Sequence, residues 1–354
     1  MQTDFFIIGQ GLAGTTLAWH LLEAGAHVKI VDQGKKHTSS WAAAGLYNPV
    51  TGRKMVKTWM ADQLFPYLQH FYRRIEKKTH TSFLHAKPIY RPFISIEEQN
   101  DWLVQANNKA YAPFVEQVAS KSLFPESVHD PHGGLLLKQC GYLEVNDYLD
   151  ASRRYFQQIG IYQKQAIDYQ QLSILKNGVK LIDQPASTII FCEGPDASSN
   201  PFFNWLPFSP VKGELLLIKP AGTHEVVYNR GIFVLPIGDL CKVGSTYNHE
   251  DLTYQPTESG RQYLQEKLEK LCKFRYEIVG QIAGVRPATR DRKPFIGIHP
   301  MHKPLAIFNG LGTKGVSLAP YFARTLTELL IKGQPLNEAV NIERFYHLYK
   351  SVLT

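Results

Sequence analysis

Cysteine is scarce in this sequence, and its few copies lie too far apart to act together. The chain has four cysteines in 354 residues and no C-x-x-C pair: Cys140, Cys192, Cys241 and Cys272. A disulfide framework and a zinc site are therefore not expected, and a reducing cytoplasmic location is favoured. The nearest histidine cluster, around His129 and His132, lacks the acids or cysteines that would complete a metal site. No metal is predicted.

Long apolar runs and hydrolytic motifs are missing as well. No stretch of about 20 apolar residues occurs, so no transmembrane helix is predicted. The first residues lack the basic region and cleavage pattern of a signal peptide. G-x-S-x-G and H-E-x-x-H are absent, which argues against the hydrolases that depend on them. What remains is an ordinary globular composition, 44% hydrophobic and 20% charged, of a length that suits two domains or one large one.

The chain also has no block of like charge. Its net charge is +8, with lysine and arginine spread along its length. This balance indicates a mild preference for anionic ligands and nothing more specific.

The first 32 residues predict a strand, a turn, a helix and a second strand. Phe5 to Ile8 is a short apolar run typical of a buried parallel strand, and Val28 to Val31 is another. Between them, apolar residues recur at helical spacing until Gly25, which ends the helix. The turn carries glycines in G-x-G-x-x-G spacing: Gly9, Gly11 and Gly14.

Each part of this unit suits a bound dinucleotide. Gly9 allows the tight turn, Gly11 lets the backbone approach a pyrophosphate, and Gly14 lets the helix pack closely on the strand. The helix N-terminus offers unpaired N–H groups to the phosphates. Asp32 follows Gly14 by 18 residues, where an acid hydrogen-bonds an adenosine ribose. The unit therefore predicts a dinucleotide with a free ribose.

Four later segments resemble the D-amino-acid-oxidase-like flavoproteins, and glycine oxidases in particular. Residues 39–54 contain a Ser-x-x-Ala-Ala-Gly stretch, and residues 210–218 are similar to the strand that enters the substrate domain. Residues 284–297 resemble the family's Gly-x-Arg-Pro-x-Thr-x-Asp-x-x-Pro-x-x-Gly motif. Residues 309–326 resemble its last Gly-rich turn and helix, which close over the flavin. The resemblance implies that the dinucleotide is FAD.

The resemblance also implies a set of cofactor-binding residues. Lys314 and the N–H groups of its turn would stabilise negative charge on the reduced flavin. The sequence from Gly312 to Gly315 is similar to the Gly-Ser-Arg-Gly turn in the oxidase half of the bifunctional tRNA wobble-uridine modification enzyme. The complete predicted set is Gly9, Gly11, Gly14, Asp32, Ser40, Ala44, Gly45, Gly194, Gly312, Thr313, Lys314 and Gly315.

Arg286 is the first candidate for substrate binding. It follows a strand-like run and precedes Pro287, which favours an extended or turn conformation for Arg286. A guanidinium held there can bind a carboxylate through two parallel hydrogen bonds, and the resemblance implies that the carboxylate is that of an amino-acid substrate. The alternative is a structural ion pair with an acid of this chain. Nearby Arg290, Arg292 and Lys293 are expected to point to solvent.

Two aromatic residues are further candidates. Tyr47 lies where the resembled segment passes the flavin ring. Phe233 occupies a place where glycine oxidases tend to carry a tyrosine, and it lacks the hydroxyl that would orient a small polar substrate. This difference counts against a simple transfer of glycine specificity. Plain packing is the alternative role for both residues.

The predicted fold class is α/β, a Rossmann-like FAD-binding domain with an inserted mixed antiparallel-sheet substrate domain. Short β-rich runs broken by glycine, proline and asparagine after residue 210 indicate antiparallel strands. The FAD-binding domain is assigned to residues 1–85, 141–209 and 277–354, and the substrate domain to residues 86–140 and 210–276. Asn146 is predicted to cap a helix, and Thr257 begins another.

The function expected from these features is oxidation of the C–N bond of an amino acid or a carboxylate-bearing secondary amine, with hydride transfer to FAD. The partner would be a small amine or amino acid, and the sequence leaves the electron acceptor open. A tRNA-modifying oxidase acting on a carboxymethylaminomethyl-type uridine is one alternative, and its binding would weaken steeply with salt. A non-catalytic flavin-binding protein is the other.

Overall fold

The computed structural model of the chain describes residues 3–35, 37–52, 54–181 and 183–353. Within these ranges the helices are α1 (Leu12–Glu23), α2 (Ala61–Thr79), α3 (Ile96–Gln105), α4 (Val145–Gln158), α5 (Glu258–Leu271), α6 (Gly315–Lys332) and α7 (Tyr346–Leu353). Short 3₁₀ helices span Tyr169–Gln171, Gly194–Ser199 and Ile342–Phe345.

The strands of the same ranges form two large sheets and two small ones. They are β1 (Thr3–Ile8), β2 (Val28–Asp32), β3 (Leu46–Tyr47), β4 (Val50–Thr51), β5 (Val56–Lys57), β6 (Leu84–Ala86), β7 (Ile89–Pro92), β8 (Val115–Ala119), β9 (Gly134–Leu137), β10 (Gly141–Leu143), β11 (Tyr162–Lys164), β12 (Leu172–Leu175), β13 (Gly178–Leu181), β14 (Gln184–Phe191), β15 (Val211–Pro220), β16 (Val227–Arg230), β17 (Ile232–Ile237), β18 (Leu240–Gly244), β19 (Tyr276–Arg286), β20 (Phe295–Ile298) and β21 (Leu305–Asn309).

The first large sheet has a parallel centre, in the order β11-β2-β1-β14-β21. The antiparallel strands β13 and β12 extend it from β14, and β20 pairs with β21. The strand-turn-helix-strand unit predicted from the first 32 residues is β1, α1 and β2, which confirms the expectation. Parallel strands end at the same edge of a sheet, so the turns after β1, β2 and β14 meet there.

Helices α1, α2, α4 and α6 cover one side of this sheet. Helix α1 packs on α6 and α4, and α2 packs on α6. Trp19, Phe71 and Tyr72 are completely buried between them. Helix α4 begins after Glu144 and not at Asn146, which lies inside its first turn. The predicted cap was wrong, because the Asn146 side chain donates from Nδ2 to the Trp41 carbonyl at 3.3 Å and does not cap the helix.

The second large sheet has the order β19-β15-β18-β17-β16-β7-β9-β8. Its neighbouring strands are antiparallel except β16 and β7, which are parallel. Helix α5 covers one face through Leu264 and Leu268, and it begins after Thr257, whose hydroxyl accepts the Gly260 N–H at 3.1 Å. The structure confirms the predicted fold class, a Rossmann-like sheet combined with a mixed, mostly antiparallel one.

One predicted domain boundary differs from the sheet pairing. Strand β19 pairs along β15 from Tyr276 opposite Pro220 to Arg286 opposite Val211. Residues 277–286 therefore lie in the second sheet, although they were assigned to the FAD-binding domain. The family-like arginine motif begins inside this strand, so the motif could not mark where the sheet ends.

No helix of the described ranges is long and apolar enough to cross a membrane. All four cysteines are buried and free.

Candidate active site

A cavity of about 1210 Å³ joins the two large sheets. Ile8, Val31 and Cys192, at the ends of β1, β2 and β14, line one part of it. Leu215 and Phe233 of the second sheet line another part. Of the predicted site residues only Gly14 does not face the cavity. The fold thus brings segments from both halves of the chain to one space.

The glycines of the first turn are required by close backbone contacts. Gly9 has a φ of +98°, and a Cβ there would lie 2.6 Å from the Cys192 carbonyl oxygen. A Cβ on Gly14 would lie 1.9 Å from the Gly9 carbonyl oxygen. Gly14 therefore serves the close packing of α1 on β1, and Gly9 keeps the turn tight against β14.

The N-terminus of α1 faces the cavity without a side-chain cap at Gly11. The Leu12 N–H donates to Ser40 Oγ at 3.1 Å, and a Cβ on Gly11 would lie 3.1 Å from the same oxygen. The predicted residue Ser40 therefore holds its segment against the helix start. The other N–H groups of the first turn and the positive end of the helix dipole suit a pyrophosphate here.

Asp32 ends β2 beside this helix start. Its Oδ2 accepts the Gln10 N–H at 2.8 Å, and its Oδ1 accepts the Gly34 N–H at 2.8 Å. A carboxylate has about four lone-pair sites, so capacity remains for ribose hydroxyls. The turn, the start of α1 and the fixed carboxylate together fit the adenosine and pyrophosphate of FAD.

The start of α6 adjoins the start of α1 at the cavity. A Cβ on Gly315 would lie 3.2 Å from Leu12 Cδ1, and Gly312 has a φ of +54° in the turn before the helix. Lys314 is the N-cap residue, and Thr313 is exposed in the same turn. Two helix N-termini therefore face one space, which favours negative charge on a bound group.

Lys314 extends from that turn towards two hydroxyls. Its Nζ lies 3.5 Å from Thr51 Oγ1 and 3.5 Å from Thr58 Oγ1. Among the residues described, no carboxylate forms an ion pair with it. Burial lowers the pKa of this amine. The position suits the predicted role, stabilising negative charge on reduced flavin.

The segment from Ala44 to Tyr47 passes along the cavity wall. Gly45 has a φ of +81°, and a Cβ there would lie 1.9 Å from the Leu143 carbonyl oxygen. Tyr47 is only 2% exposed and packs on Phe65, with ring centroids 6.1 Å apart. Burial raises the pKa of its phenol. Tyr47 thus packs in the core and also contributes to the cavity lining.

Gly194 joins two strand ends of the first sheet. It has a φ of +61°, and its carbonyl accepts a hydrogen bond from Asn309 Nδ2 at 3.0 Å. This bond ties the turn after β14 to the end of β21 at the cavity edge.

Arg286 lies at the end of β19 and reaches across β15. Its Nη2 donates to Ser245 Oγ at 2.7 Å, and its Nη1 donates to the carbonyls of Thr246 and Lys212 at 3.3 and 3.4 Å. The guanidinium lies 4.6 Å from the ring centroid of Tyr247, whose side chain is 65% exposed. Burial lowers the pKa of Arg286, and Tyr247 acts in the opposite direction.

The environment of Arg286 bears on its alternative role as a structural ion pair. Within the described part of the chain, no carboxylate forms a salt bridge with it. Gly213 leaves the space for it, since a Cβ there would lie 1.9 Å from Arg286 Nη2. The guanidinium is thus positioned by neutral groups and keeps unmatched positive charge at the cavity.

The other cations of the same motif differ among themselves. Arg290 and Arg292 are exposed, as expected. Lys293 is half-buried, with its Nζ 3.2 Å from the ring centroid of Trp59. The expectation that Lys293 points to solvent was wrong, because its ammonium lies over the ring of Trp59, just before α2.

Several cavity residues were not predicted. Ser245 and Tyr247 follow β18, Gly213 lies in β15, Asn229 lies in β16, and Arg91 lies in β7. The Gly244-Ser245 pair at the end of β18 was the available signal for Ser245. The other four residues come together only through the strand order of the second sheet, and periodicity in the sequence does not predict that order.

Charge is unevenly distributed around the cavity. Among the described residues, the carboxylates that line it are Asp32, Glu193 and Asp196, all at strand ends of the first sheet. Lys35 and Lys314 also lie after strands of the first sheet, whereas the lining cations of the second sheet and of α5 are Arg91, Arg230, Lys267, Lys270 and Arg286. The part of the cavity under the second sheet therefore favours an anionic ligand. No group of three or more His, Cys, Asp and Glu side chains in the described ranges could hold a metal ion.

The chain is similar to known proteins over most of its length. Glycine oxidase of Pseudomonas aeruginosa is 22% identical over 95% of this chain and 97% of its own length. The tRNA 5-methylaminomethyl-2-thiouridine biosynthesis bifunctional protein MnmC of Burkholderia mallei is 24% identical over 84% of this chain but only 48% of its own length. The crystal structure of glycine oxidase from Bacillus cereus superposes with a TM-score of 0.78 at 20% identity, covering 94% of this chain and 96% of that one.

The family itself is decided by the sequence match. Residues 4–329 match the DAO family, described as FAD dependent oxidoreductase. This range covers both large sheets except Thr3, and it covers every predicted site residue. The chain is therefore a member of the DAO family of FAD-dependent oxidoreductases, and FAD is its cofactor.

Proposed function

We propose that the protein oxidises the C–N bond of an amino acid or of a secondary amine that carries a carboxylate. The observation that carries the proposal is Arg286, a guanidinium held at the cavity by Ser245 and two carbonyls without an acid partner among the described residues. Bound FAD would supply the acceptor for the hydride equivalent. The chain's own residues would bind the substrate, orient it and exclude water.

Carboxylate binding would use Arg286 and Ser245 together. A guanidinium has five N–H donors, and the bond to Ser245 at 2.7 Å is the shortest of those it makes here. Because the Ser245 oxygen accepts that bond, its own hydrogen is free to donate to a substrate carboxylate. A charge-assisted pair at this point fixes the substrate's orientation.

The apolar wall beside Arg286 would keep water from the reacting bond. Leu215, on β15, and Phe233, on β17, both line the cavity opposite Gly244 of β18. Phe233 offers no hydroxyl to a small substrate such as glycine. A substrate with an apolar portion next to its carboxylate suits this wall better.

A tRNA-linked substrate is the second candidate. The partial similarity to MnmC supports it, together with the net charge of +8. Activity on tRNA should fall steeply as salt rises, because phosphate contacts release counterions. Activity on a small amino acid should change little over the same range.

The first test is anaerobic reduction of the FAD-loaded protein, followed by its visible absorption. Matched pairs isolate the carboxylate: glycine against methylamine, and sarcosine against dimethylamine, with larger N-alkyl amino acids added in turn. Bleaching by carboxylate-bearing amines alone supports the proposal. Equal bleaching by the carboxylate-free partners, or none with any amine, contradicts it.

A further inference from the structure

We propose a second anion-binding position at Arg91, on the same face of the second sheet as Arg286, where it would bind a second carboxylate at the far end of the substrate. The inference rests on the proposed function and deepens it, since it names a dicarboxylic amine as the substrate class. Asn229 lies between the two arginines' strands and would contact the same distal group.

Strand register places these residues on one face of the second sheet. Gly244 pairs with Phe233, and Phe233 pairs with Asn229. Tyr228 pairs with Tyr90 in the parallel contact, which sets Asn229 beside Arg91 one residue further along. Directly paired residues share a face of the sheet. Phe233, Asn229 and Arg91 all line the cavity accordingly.

Arg91 is the more deeply buried of the two arginines. It is 3% exposed, and its guanidinium donates to the carbonyls of Val50 and Gly52 at 3.3 and 2.9 Å. Its Nε is buried with no hydrogen-bond partner. Burial lowers the pKa of Arg91 to about 10, and the charge of Arg230 acts in the same direction. A buried cation left this way is costly unless a ligand matches it.

The surrounding charge does not balance within the chain. The nearby carboxylate, Glu98, forms an ion pair with Arg230 at 3.0 Å. Within the residues described, no acid forms an ion pair with Arg91 itself. Two arginines therefore share one carboxylate, and a net positive charge remains at this end of the cavity. A distal carboxylate would supply the missing negative charge.

The distance between the two positions predicts an elongated ligand. The Arg286 guanidinium contacts Ser245, just after β18, and Arg91 is on β7, three strands away in the sheet order. At about 4.8 Å between strands, the backbones of β18 and β7 are roughly 14 Å apart. Between these two strands, Phe233 of β17 and Asn229 of β16 line the cavity. The ligand should thus have a carboxylate at each end and an apolar linker.

Binding can be tested without turnover. The probes are thioethers, HOOC–CH₂–S–(CH₂)ₙ–COOH with one to five methylene groups, which lack the C–H bond next to nitrogen. The control for each is the thioether of equal length that ends in a methyl group. Calorimetric titration into the FAD-loaded protein should show the longer dicarboxylates binding about 10- to 100-fold more tightly than their controls. Equal affinity of the two series would overturn the inference.

Variants then assign the effect to Arg91. Arg91→Gln keeps an amide that can donate to the Val50 or Gly52 carbonyl but removes the charge, so dicarboxylate affinity should fall at least about 10-fold. The monocarboxylate controls, which do not reach this position, should bind as before. Glu98→Gln should act in the opposite direction and tighten dicarboxylate binding. Arg290→Gln, an exposed residue outside the cavity lining, is the matched control and should change neither series.

The outcomes separate this inference from the proposed function. Chain-length preference that depends on Arg91, without amine-dependent bleaching, would keep the anion position and reject the reaction. Bleaching by carboxylate-bearing amines without any preference for dicarboxylates would support the reaction and reject the anion position. If Arg91→Gln weakened FAD retention and affected both probe series equally, Arg91 would serve the cofactor and the inference would fail.

Discussion

At the scale of single residues, the site depends on cations that the protein does not neutralise. Sequence reasoning identified Arg286 through its motif and the proline that follows it. It could not identify Ser245, which lies 41 positions away in the chain and meets Arg286 only in the folded sheet. The same holds for Arg91, which has no motif around it. A local sequence pattern can point to a candidate residue only when the motif itself is local, and the contacts of Ser245 and Arg91 are not local.

Replacing Arg286 tests its proposed role directly. Arg286→Ala should raise KM for the true substrate about 10- to 150-fold, or roughly 1.5–3 kcal/mol, because a charged hydrogen-bonded pair is lost. Steady-state kinetics measure the effect, with Arg290→Ala as an exposed control from the same motif. An unchanged KM for Arg286→Ala would contradict carboxylate binding by this residue.

The burial of Lys314 should make the stability of the FAD-free protein depend on pH. Burial lowers its pKa from the ordinary 10.5. Between the lowered value and 10.5 the unfolded chain binds more protons, so Lys314 makes stability rise with pH in that window. Below the window the full penalty of the buried ammonium is present.

Lys314→Met should therefore be more stable than the wild type at pH 7, with a difference that shrinks towards pH 10.5. Urea unfolding of both FAD-free proteins at pH 7 and at pH 10 measures the difference, and the exposed Lys303→Met provides the comparison. A difference of the same size at both pH values would show that the ammonium's burial is not its origin.

At the scale of secondary-structure elements, prediction succeeded where the signal was local. Strands β1 and β2 and helix α1 follow from apolar runs and glycine spacing within 32 residues. The start of α5 follows from Thr257, a threonine cap. Strand β19 was divided wrongly, because its partner β15 lies far away in sequence and the pairing alone shows its extent.

Strand β15 positions Arg286 through the absence of a side chain at Gly213. Gly213→Ala should push the guanidinium out of place and raise KM for the carboxylate substrate by roughly 10-fold or more, since a Cβ would lie 1.9 Å from Arg286 Nη2. Gly280→Ala, in β19, is the matched control, because its nearest atom would be 3.4 Å away. Equal kinetic effects of the two substitutions would mean that the space at Gly213 is not specific to Arg286.

At the scale of the whole molecule, the cavity is where the two large sheets meet. The fold class could be predicted because the dinucleotide unit and the family-like motifs each carry a strong local signal. The shape and charge of the cavity could not, because they depend on the order of eight strands drawn from separate parts of the chain. Residues proposed for the cofactor were thus easier to find from sequence than those that line the proposed substrate end.

Because both halves of the molecule line this cavity, FAD should stabilise the whole fold. At a free concentration 100 times its Kd, the cofactor should add about 2.7 kcal/mol to the free energy of unfolding. Asp32→Ala should reduce the rise in Tm caused by added FAD, whereas Asp239→Ala, an exposed acid, should leave it unchanged. Thermal denaturation at increasing FAD concentration measures both, and an undiminished rise in Asp32→Ala would exclude a role for that carboxylate in binding.

The exposed ring of Tyr247 over Arg286 gives the site a chemical label of its own. A phenol that is 65% exposed is open to nitration by tetranitromethane, whereas Tyr47 and Tyr72, at 2% and 0%, are shielded. A carboxylate that binds the Arg286 guanidinium would cover the neighbouring ring of Tyr247 and slow its nitration. Peptide mapping of the labelled protein would then report which compounds occupy the carboxylate position, even those that the enzyme never oxidises.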